Sequence, residues 1–252
     1  MVQQTAAARS AAPPLFYARP SALQPQSLGG LSLKRERNFG FARLGNAIPV
    51  TVAEIAEAQR DYPIVFTDAA PPMPVAVVGI EDGVNLMVEE DGLWRPGAYV
   101  PAYVQRYPFL FARHPETQAL TLCIDEGADC LERSERNPLF QKGELGEATK
   151  QALRFCSEYQ RQHEATREFS RSLAQAELLI GRDAKLRIGP DRSVTVRGFK
   201  IVDEAKLNLL PAETFLNWRA RGWLKLIYAH LLSLGGWEKL VHIAKERQVH
   251  AG

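Results

Sequence analysis

The hydrophobic period of this sequence changes near residue 147, and that change limits the architectures open to the chain. Between Leu28 and Ile124 the apolar residues come in short β-branched or aromatic runs bounded by turn residues: Leu28–Leu33, Phe39–Arg43, Tyr62–Thr67, Val75–Ile80, Asn85–Glu89, Tyr107–Ala112 and Ala119–Asp125. Such runs read as strands. Glu81-Asp82-Gly83 and His114-Pro115-Glu116-Thr117 stand between successive runs and predict two hairpins. One helix is expected in this half, where Thr51-Val52-Ala53-Glu54 has the form of a capping box and Pro63 forbids continuation. From Glu147 to Ile180 the pattern differs: Ala148, Ala152, Phe155, Tyr159, Thr166, Phe169, Leu173 and Ala176 recur mostly at three- and four-residue steps. The remaining face carries Lys150, Arg154, Arg161, Arg167 and Arg171, so this segment predicts a long amphipathic helix, with Gly181 as its stop. A hairpin over Lys185–Ile188 and Ser193–Ile201 comes next, then helices near Glu204–Leu209, Pro211–Ala220, Trp223–Leu234 and Trp237–Arg247. The expected class is α+β: mostly antiparallel strands in the N-terminal half, a long helix, a β-hairpin and a helical C-terminal tail, rather than alternating βαβ units.

At 252 residues, 46% of them hydrophobic, the chain can bury a substantial core without metal or disulfide staples. Cys123, Cys130 and Cys156 are an odd number with no C-x-x-C pair, which predicts free thiols, no zinc site and a reducing compartment. The Pro-broken residues 1–14 read as a disordered lead-in and 15–247 as a single domain, with residues 138–146 as the place a subdivision would cut. The first fifteen residues lack the basic and continuous apolar regions of a secretory signal, which favours the cytoplasm. The most apolar stretch, Trp223–Leu234, is interrupted by Lys225, His230 and Ser233 and is too short to span a bilayer. A net charge of +2 without long like-charge runs makes nucleic acid an unexpected partner. Charge is unevenly divided, with six basic against fourteen acidic side chains over residues 68–147 and eleven against six over 148–202. Either the acidic segment faces the basic helix within one domain, or it offers a face to a cationic partner.

No phosphate-cradling glycine loop, G-x-S-x-G elbow or H-E-x-x-H pair occurs, so no catalytic residue is legible, no metal site or cofactor is expected, and the absence of readable signatures favours a non-enzymatic role. Glu238, His242 and Glu246 share one helical row, but the row opposes Trp237, Leu240, Val241 and Ala244 and reads as a solvated face. His230 lies among Trp223, Leu224, Ile227, Leu231 and Leu234; it reads as a neutral core imidazole or, with Asp203, as a polar site. The densest chemistry is the strip Trp94–Phe109, which holds one Trp, three Tyr, one Phe and two Arg in sixteen residues. Trp94, Tyr99, Tyr103 and Arg106 are therefore the candidate ligand-binding residues, the rings for stacking and the guanidinium for a carboxylate. The competing reading places the rings in the core.

This strip carries a resemblance. Together with Phe39-Gly40-Phe41-Ala42, Arg60-Asp61-Tyr62-Pro63-Ile64-Val65-Phe66, Asp91-Gly92-Leu93-Trp94-Arg95, Tyr99-Val100-Pro101 and Arg106-Tyr107-Pro108-Phe109, the chain resembles the bacterial SapC family. The likeness continues through Cys123-Ile124-Asp125-Glu126, Pro138-Leu139-Phe140, Gly198-Phe199, Val202-Asp203-Glu204 and Gly222-Trp223-Leu224 to Tyr228-Ala229-His230-Leu231, and covers roughly residues 15–245. Two departures stand out: Gln105-Arg106 where family members commonly have paired arginines, and Ser27-Leu28-Gly29-Gly30 where a histidine often precedes the first strand. The resemblance implies a link to a paracrystalline surface layer and to gene neighbourhoods with TonB-dependent receptors; it supplies no catalytic residues. Two functions are then expected. One is a non-enzymatic envelope accessory at the cell surface that self-associates or binds glycan. The other is a cytoplasmic enzyme or small-ligand-binding accessory in nutrient uptake.

Overall fold

The computed structural model describes residues 13–36, 38–114 and 116–250; the lead-in expected over 1–14 lies, apart from Pro13 and Pro14, outside the described residues. In chain order the elements are β1 (Pro20–Ala22), α1 (Pro25–Leu28), β2 (Leu31–Leu33), a 3₁₀ turn (Gly40–Ala42), β3 (Ala47–Pro49), α2 (Ile55–Ala58), β4 (Ile64–Thr67), β5 (Pro74–Val77), α3 (Ala102–Gln105), β6 (Phe109–Arg113) and β7 (Leu120–Asp125). They continue with β8 (Leu131–Arg133), β9 (Phe140–Gln141), β10 (Glu144–Leu145), α4 (Glu147–Gln175), β11 (Leu179–Arg187), β12 (Ser193–Val202), α5 (Glu204–Leu207), α6 (Ala212–Ala220), α7 (Trp223–Ser233) and α8 (Gly236–His250). The strand pairs are antiparallel, and the long helix and the helical tail are present, so the fold is α+β. No helix among the described residues is long and apolar enough to cross a membrane.

The chain divides into two compact units, residues 1–37 with 107–153 and residues 38–106 with 154–252. In the first, β1, β7 and β6 form a sheet in that order, and the expected hairpin is present with Phe111 opposite Leu122. Asp125 ends β7 and gathers the chain around it. Its carboxylate accepts the Ala18 and Arg19 amides at 2.8 Å, the Gly127 amide at 3.0 Å and the Tyr107 hydroxyl at 3.3 Å. Burial pushes this carboxyl up, but those donors outweigh it and hold the group below the usual aspartate value. Tyr17 completes the arrangement, its ring 5.3 Å from that of Tyr107 and its hydroxyl donating to the Phe109 carbonyl at 2.7 Å.

The second unit is built on a five-stranded sheet of order β11-β12-β4-β5-β3. The central strands, Ile64-Val65-Phe66-Thr67 and Pro74-Val75-Ala76-Val77, are almost wholly buried, which is why they read as continuous apolar runs without alternation. Phe169 of α4 sits between Phe66 of β4, at 6.5 Å, and Trp223 of α7, at 5.7 Å, and joins the long helix to the sheet and the tail.

Strand β12 meets β4 at only two pairs, Phe199 with Thr67 and Lys200 with Phe66. Continuing that register would set Val202 opposite Ile64. Instead the His230 ring lies between them: Val202 N–H donates to Nε2 at 3.0 Å, and Nδ1 is 2.7 Å from the Ile64 carbonyl. An amide only donates and a carbonyl only accepts, so Nε2 is bare and Nδ1 carries the proton. Ser233, one turn along α7, accepts the Ile64 amide at 2.9 Å and donates to the His230 carbonyl at 2.5 Å. One helix thus supplies both backbone bonds that a neighbouring strand would have supplied to Ile64.

Several sequence expectations differ from the structure: the N-terminal half holds three short helices, α1, α2 and α3, where one is expected, and the other differences have local reasons. Phe39–Arg43 is a 3₁₀ turn, because the Asn38 side chain accepts the Gly40 amide at 2.7 Å and bends the chain before a strand can form. Asn85–Glu89 joins no sheet. Its carbonyls at Asn85, Leu86 and Val88 accept instead from the Arg247 guanidinium, at 3.3, 3.0 and 2.7 Å. Helix α4 stops at Gln175, before Gly181. Leu178 N–H bonds the Leu173 carbonyl and Glu177 N–H bonds the Ala174 carbonyl, with Glu177 at φ 53, a Schellman motif whose left-handed residue is a glutamate; Gly181 pairs with Lys200 inside the hairpin. The capping box is half realised. Glu54 reaches back to the Thr51 amide, but the Thr51 hydroxyl donates to the same carboxylate.

Acid should destabilise this chain through one buried imidazole. Burial lowers the His230 pKa from 6.5 to about 4. Between those values the unfolded imidazole takes up a proton that the folded one refuses, so stability is full above pH 6.5 and falls by about 3 kcal/mol as the pH drops towards 4. Urea titrations at pH 7.0 and 4.5 should show that decline in the natural protein. In His230→Gln the decline should be smaller, starting from a lower stability at pH 7.0. Asp125→Ala, which removes the shared acceptor of the Ala18, Arg19 and Gly127 amides, should cost about 3 kcal/mol at neutral pH in the same assay.

Candidate functional site

The aromatic strip is built around one carboxylate. Glu54 is buried just before α2. Its Oε2 accepts the Thr51 amide and hydroxyl at 2.9 and 2.7 Å, and its Oε1 accepts the Ala102 amide at 2.6 Å and the Tyr99 hydroxyl at 3.2 Å. A negative charge is therefore held against the first turn of α3 by four donors, which satisfies an amide that the helix itself leaves without a partner. Asp61 anchors the approach to this turn. Its Oδ2 accepts the Tyr99 amide at 2.9 Å while its Oδ1 meets Lys239 of α8 at 2.6 Å.

Trp94 lies deeper. Its indole N–H is 3.1 Å from both the Tyr62 hydroxyl and the Tyr99 carbonyl, the Tyr62 hydroxyl donates to that same carbonyl, and Phe39 packs edge-on against the indole at 5.7 Å. Burial raises the Tyr62 phenol, and burial together with the Glu54 charge raises that of Tyr99. Both stay neutral at physiological pH. Trp94 and Tyr99 thus hold the 94–101 segment in place.

Tyr103 and Arg106 stand three residues apart on α3, so they share a face. The Arg106 guanidinium lies 4.2 Å from the Tyr103 ring centroid and 4.5 Å from that of Tyr159 on α4. The two tyrosine rings meet edge-on at 6.3 Å, and His163 stacks on Tyr159 at 6.3 Å. Burial raises both phenols against the pull of Arg106, lowers the His163 imidazole, and pushes the Cys156 thiol up to about 11. Around Arg106, then, the titratable neighbours Tyr103, Tyr159, Cys156 and His163 are neutral at pH 7. A half-buried guanidinium stacked against two tyrosine rings has the planar fork that pairs with a planar anion such as a carboxylate.

The remaining candidates are placed elsewhere. Asp203 caps α5, accepting the Ala205 and Lys206 amides at 3.0 and 3.3 Å. His230 is the bridge between β4 and β12. The structure brings Tyr103 and Arg106 together, with Tyr99 joined to them through Glu54 and α3, and separates Asp203 and His230 into structural positions. Glu54 and Tyr159 complete the arrangement, and the sequence marks them only as a capping-box acid and a stripe residue. A separate groove of about 590 Å³ opens between the 68–72 loop and the C-terminal part of α4. It is lined by Arg171 and by Lys200, which pairs with Asp68 at 2.8 Å, and carries none of the residues marked in the sequence. Among the described residues no group of three His, Cys, Asp or Glu is arranged to hold a metal ion.

The SapC family model matches residues 23–240 of this chain. No curated protein and no solved structure matches it.

The thiols provide a test of this packing. Burial raises Cys123 and lifts Cys130 and Cys156 to about 11, so at pH 8 the native chain should react with Ellman's reagent far more slowly than an unhindered thiol. In guanidinium all three should react at once. A fast-reacting Cys156 in the native protein would contradict the closed packing around Arg106.

Proposed function

The chain belongs to the SapC family, and from that premise we propose that it is a non-enzymatic accessory protein of the bacterial envelope, acting by binding rather than by chemistry. One observation carries the reading: the acid–base candidates His230 and Asp203, and the buried Glu54 carboxylate, have their polar atoms engaged in the fold. His230 bridges Ile64 and Val202, Asp203 caps a helix, and Glu54 is held by four donors. A general acid or base must exchange its proton with a substrate. The His230 imidazole would have to leave two backbone bonds to do so. The family's link to a surface layer supports the envelope as the place of action. Self-association or glycan binding is then the expected activity, and residues 15–247 the part of the chain that performs it.

A second reading has its own observation. Arg106 between Tyr103 and Tyr159 favours a small carboxylate-bearing ligand, which would fit an accessory of TonB-dependent nutrient uptake. On that reading Tyr103 and Arg106 contact the ligand, while Trp94 and Tyr99 hold the segment that presents them.

Cell fractionation of the native host with surface protease digestion, probed with antibody to this chain beside a cytosolic marker, separates the two. Protease-sensitive protein outside the inner membrane is the expected result. Protein found only with the cytosolic marker would overturn the envelope role. The small-ligand reading expects Arg106→Ala to remove thermal stabilisation by carboxylate ligands with little loss of secondary structure.

A further inference from the structure

A groove of about 380 Å³, within the size range of small-ligand sites, lies in the second unit between the end of β11 and the outer face of α8. Its wall is Trp237, half-buried and backed by the Phe199 ring at 5.6 Å, with Val241 one turn further along. Lys185 and Arg187, two residues apart on β11, project from one face of the strand, and Lys245 stands two turns beyond Trp237. All three cations are exposed, and among the described residues none has an ion pair or side-chain hydrogen bond. Two further polar groups line the groove: Glu238, and His242, which meets Glu246 at 3.0 Å.

We propose that this groove binds an acidic saccharide, a mono- to trisaccharide bearing a carboxylate. The apolar face of a sugar ring stacks on Trp237, its acid group is held by Lys185, Arg187 and Lys245, and its hydroxyls reach Glu238 and His242. The mixed lining selects this class. Three cations favour a charged ligand over a neutral one, while the Glu238 carboxylate among them disfavours a polyphosphate and gives hydroxyl groups an acceptor. The single aromatic wall suits a ring better than an extended peptide. The inference deepens the envelope-accessory reading, on which it rests for the kind of partner, by naming the ligand class and its site.

Calorimetric titration of the purified chain at low salt, with tri-galacturonic acid as the probe, tests it. Maltotriose is the neutral control and triglutamate the acidic-peptide control. Tri-galacturonic acid should bind, and each control should bind at least about tenfold more weakly. The double variant Lys185→Ala/Arg187→Ala, at exposed positions, should lose about tenfold in affinity with an unchanged melting temperature. Trp237→Leu should lose binding too; because that ring packs on Phe199, the double variant carries the test if Trp237→Leu is destabilised. No heat with tri-galacturonic acid, equal binding of triglutamate, or unchanged affinity in the double variant would overturn the proposal. A surface-exposed chain that is silent here loses this site and keeps the envelope role; a cytosolic chain that binds loses the envelope role and keeps this site.

Discussion

The second unit depends on an imidazole placed where a strand pairing lapses. β12 and β4 diverge after two pairs, and the divergence would leave the Val202 amide and the Ile64 carbonyl buried without partners. Each such orphan costs about 1–3 kcal/mol. His230 answers both at once because neutral histidine presents one donor and one acceptor across its ring, and Ser233 answers the adjacent Ile64 amide. The site needs one donor and one acceptor on a single side chain, and the neutral imidazole supplies both. The helix that carries them is thereby tied to the sheet by polar bonds as well as by apolar packing, with the Phe66 ring 5.1 Å from the imidazole.

The same substitution of side chain for strand recurs at Arg247, whose guanidinium takes up three carbonyls of the 85–88 segment, and at Glu54, which supplies acceptors to α3. In each case irregular backbone is buried and a charged or polar side chain from elsewhere in the unit satisfies it. Irregular chain can be fixed this way without extending a sheet, and here it fixes the segment that presents Tyr103 and Arg106. Those bonds are made by groups far apart in sequence, 159 to 162 residues for Arg247 and its carbonyls and 48 for Glu54 and the Ala102 amide.

This explains what the sequence discloses. The tail helices, both long hairpins and the long helix are legible because their signals are local: an apolar stripe, or a turn glycine or proline between two runs; the capping role of Asp203 is not legible. The turn at Gly40 is hidden by an asparagine side chain that competes with the strand, and the stop of α4 is hidden by a glutamate in a conformation usually left to glycine. Tyr103 and Arg106 are legible as members of the aromatic, arginine-bearing strip, whereas α3, which sets them on one face, is not anticipated. Their approach to Tyr159 is not legible either, because it is set by how α3 and α4 pack, and no periodicity encodes that. The role of His230 is open in the sequence between core and chemistry. Only the register of β12 against β4 shows which bonds it makes.

The order in which a ribosome delivers these parts has a consequence. Ile64 leaves the exit tunnel well over a hundred residues before the histidine and serine that satisfy it, which lie 166 and 169 positions further on. During that interval β4 and β5, almost wholly apolar, have an unfinished sheet edge and no tail to cover them, the kind of surface that pairs with other chains. Closure of the unit is therefore a late event. A nascent chain of this protein is the form most in need of chaperone protection, and most of that need ends when α7 docks.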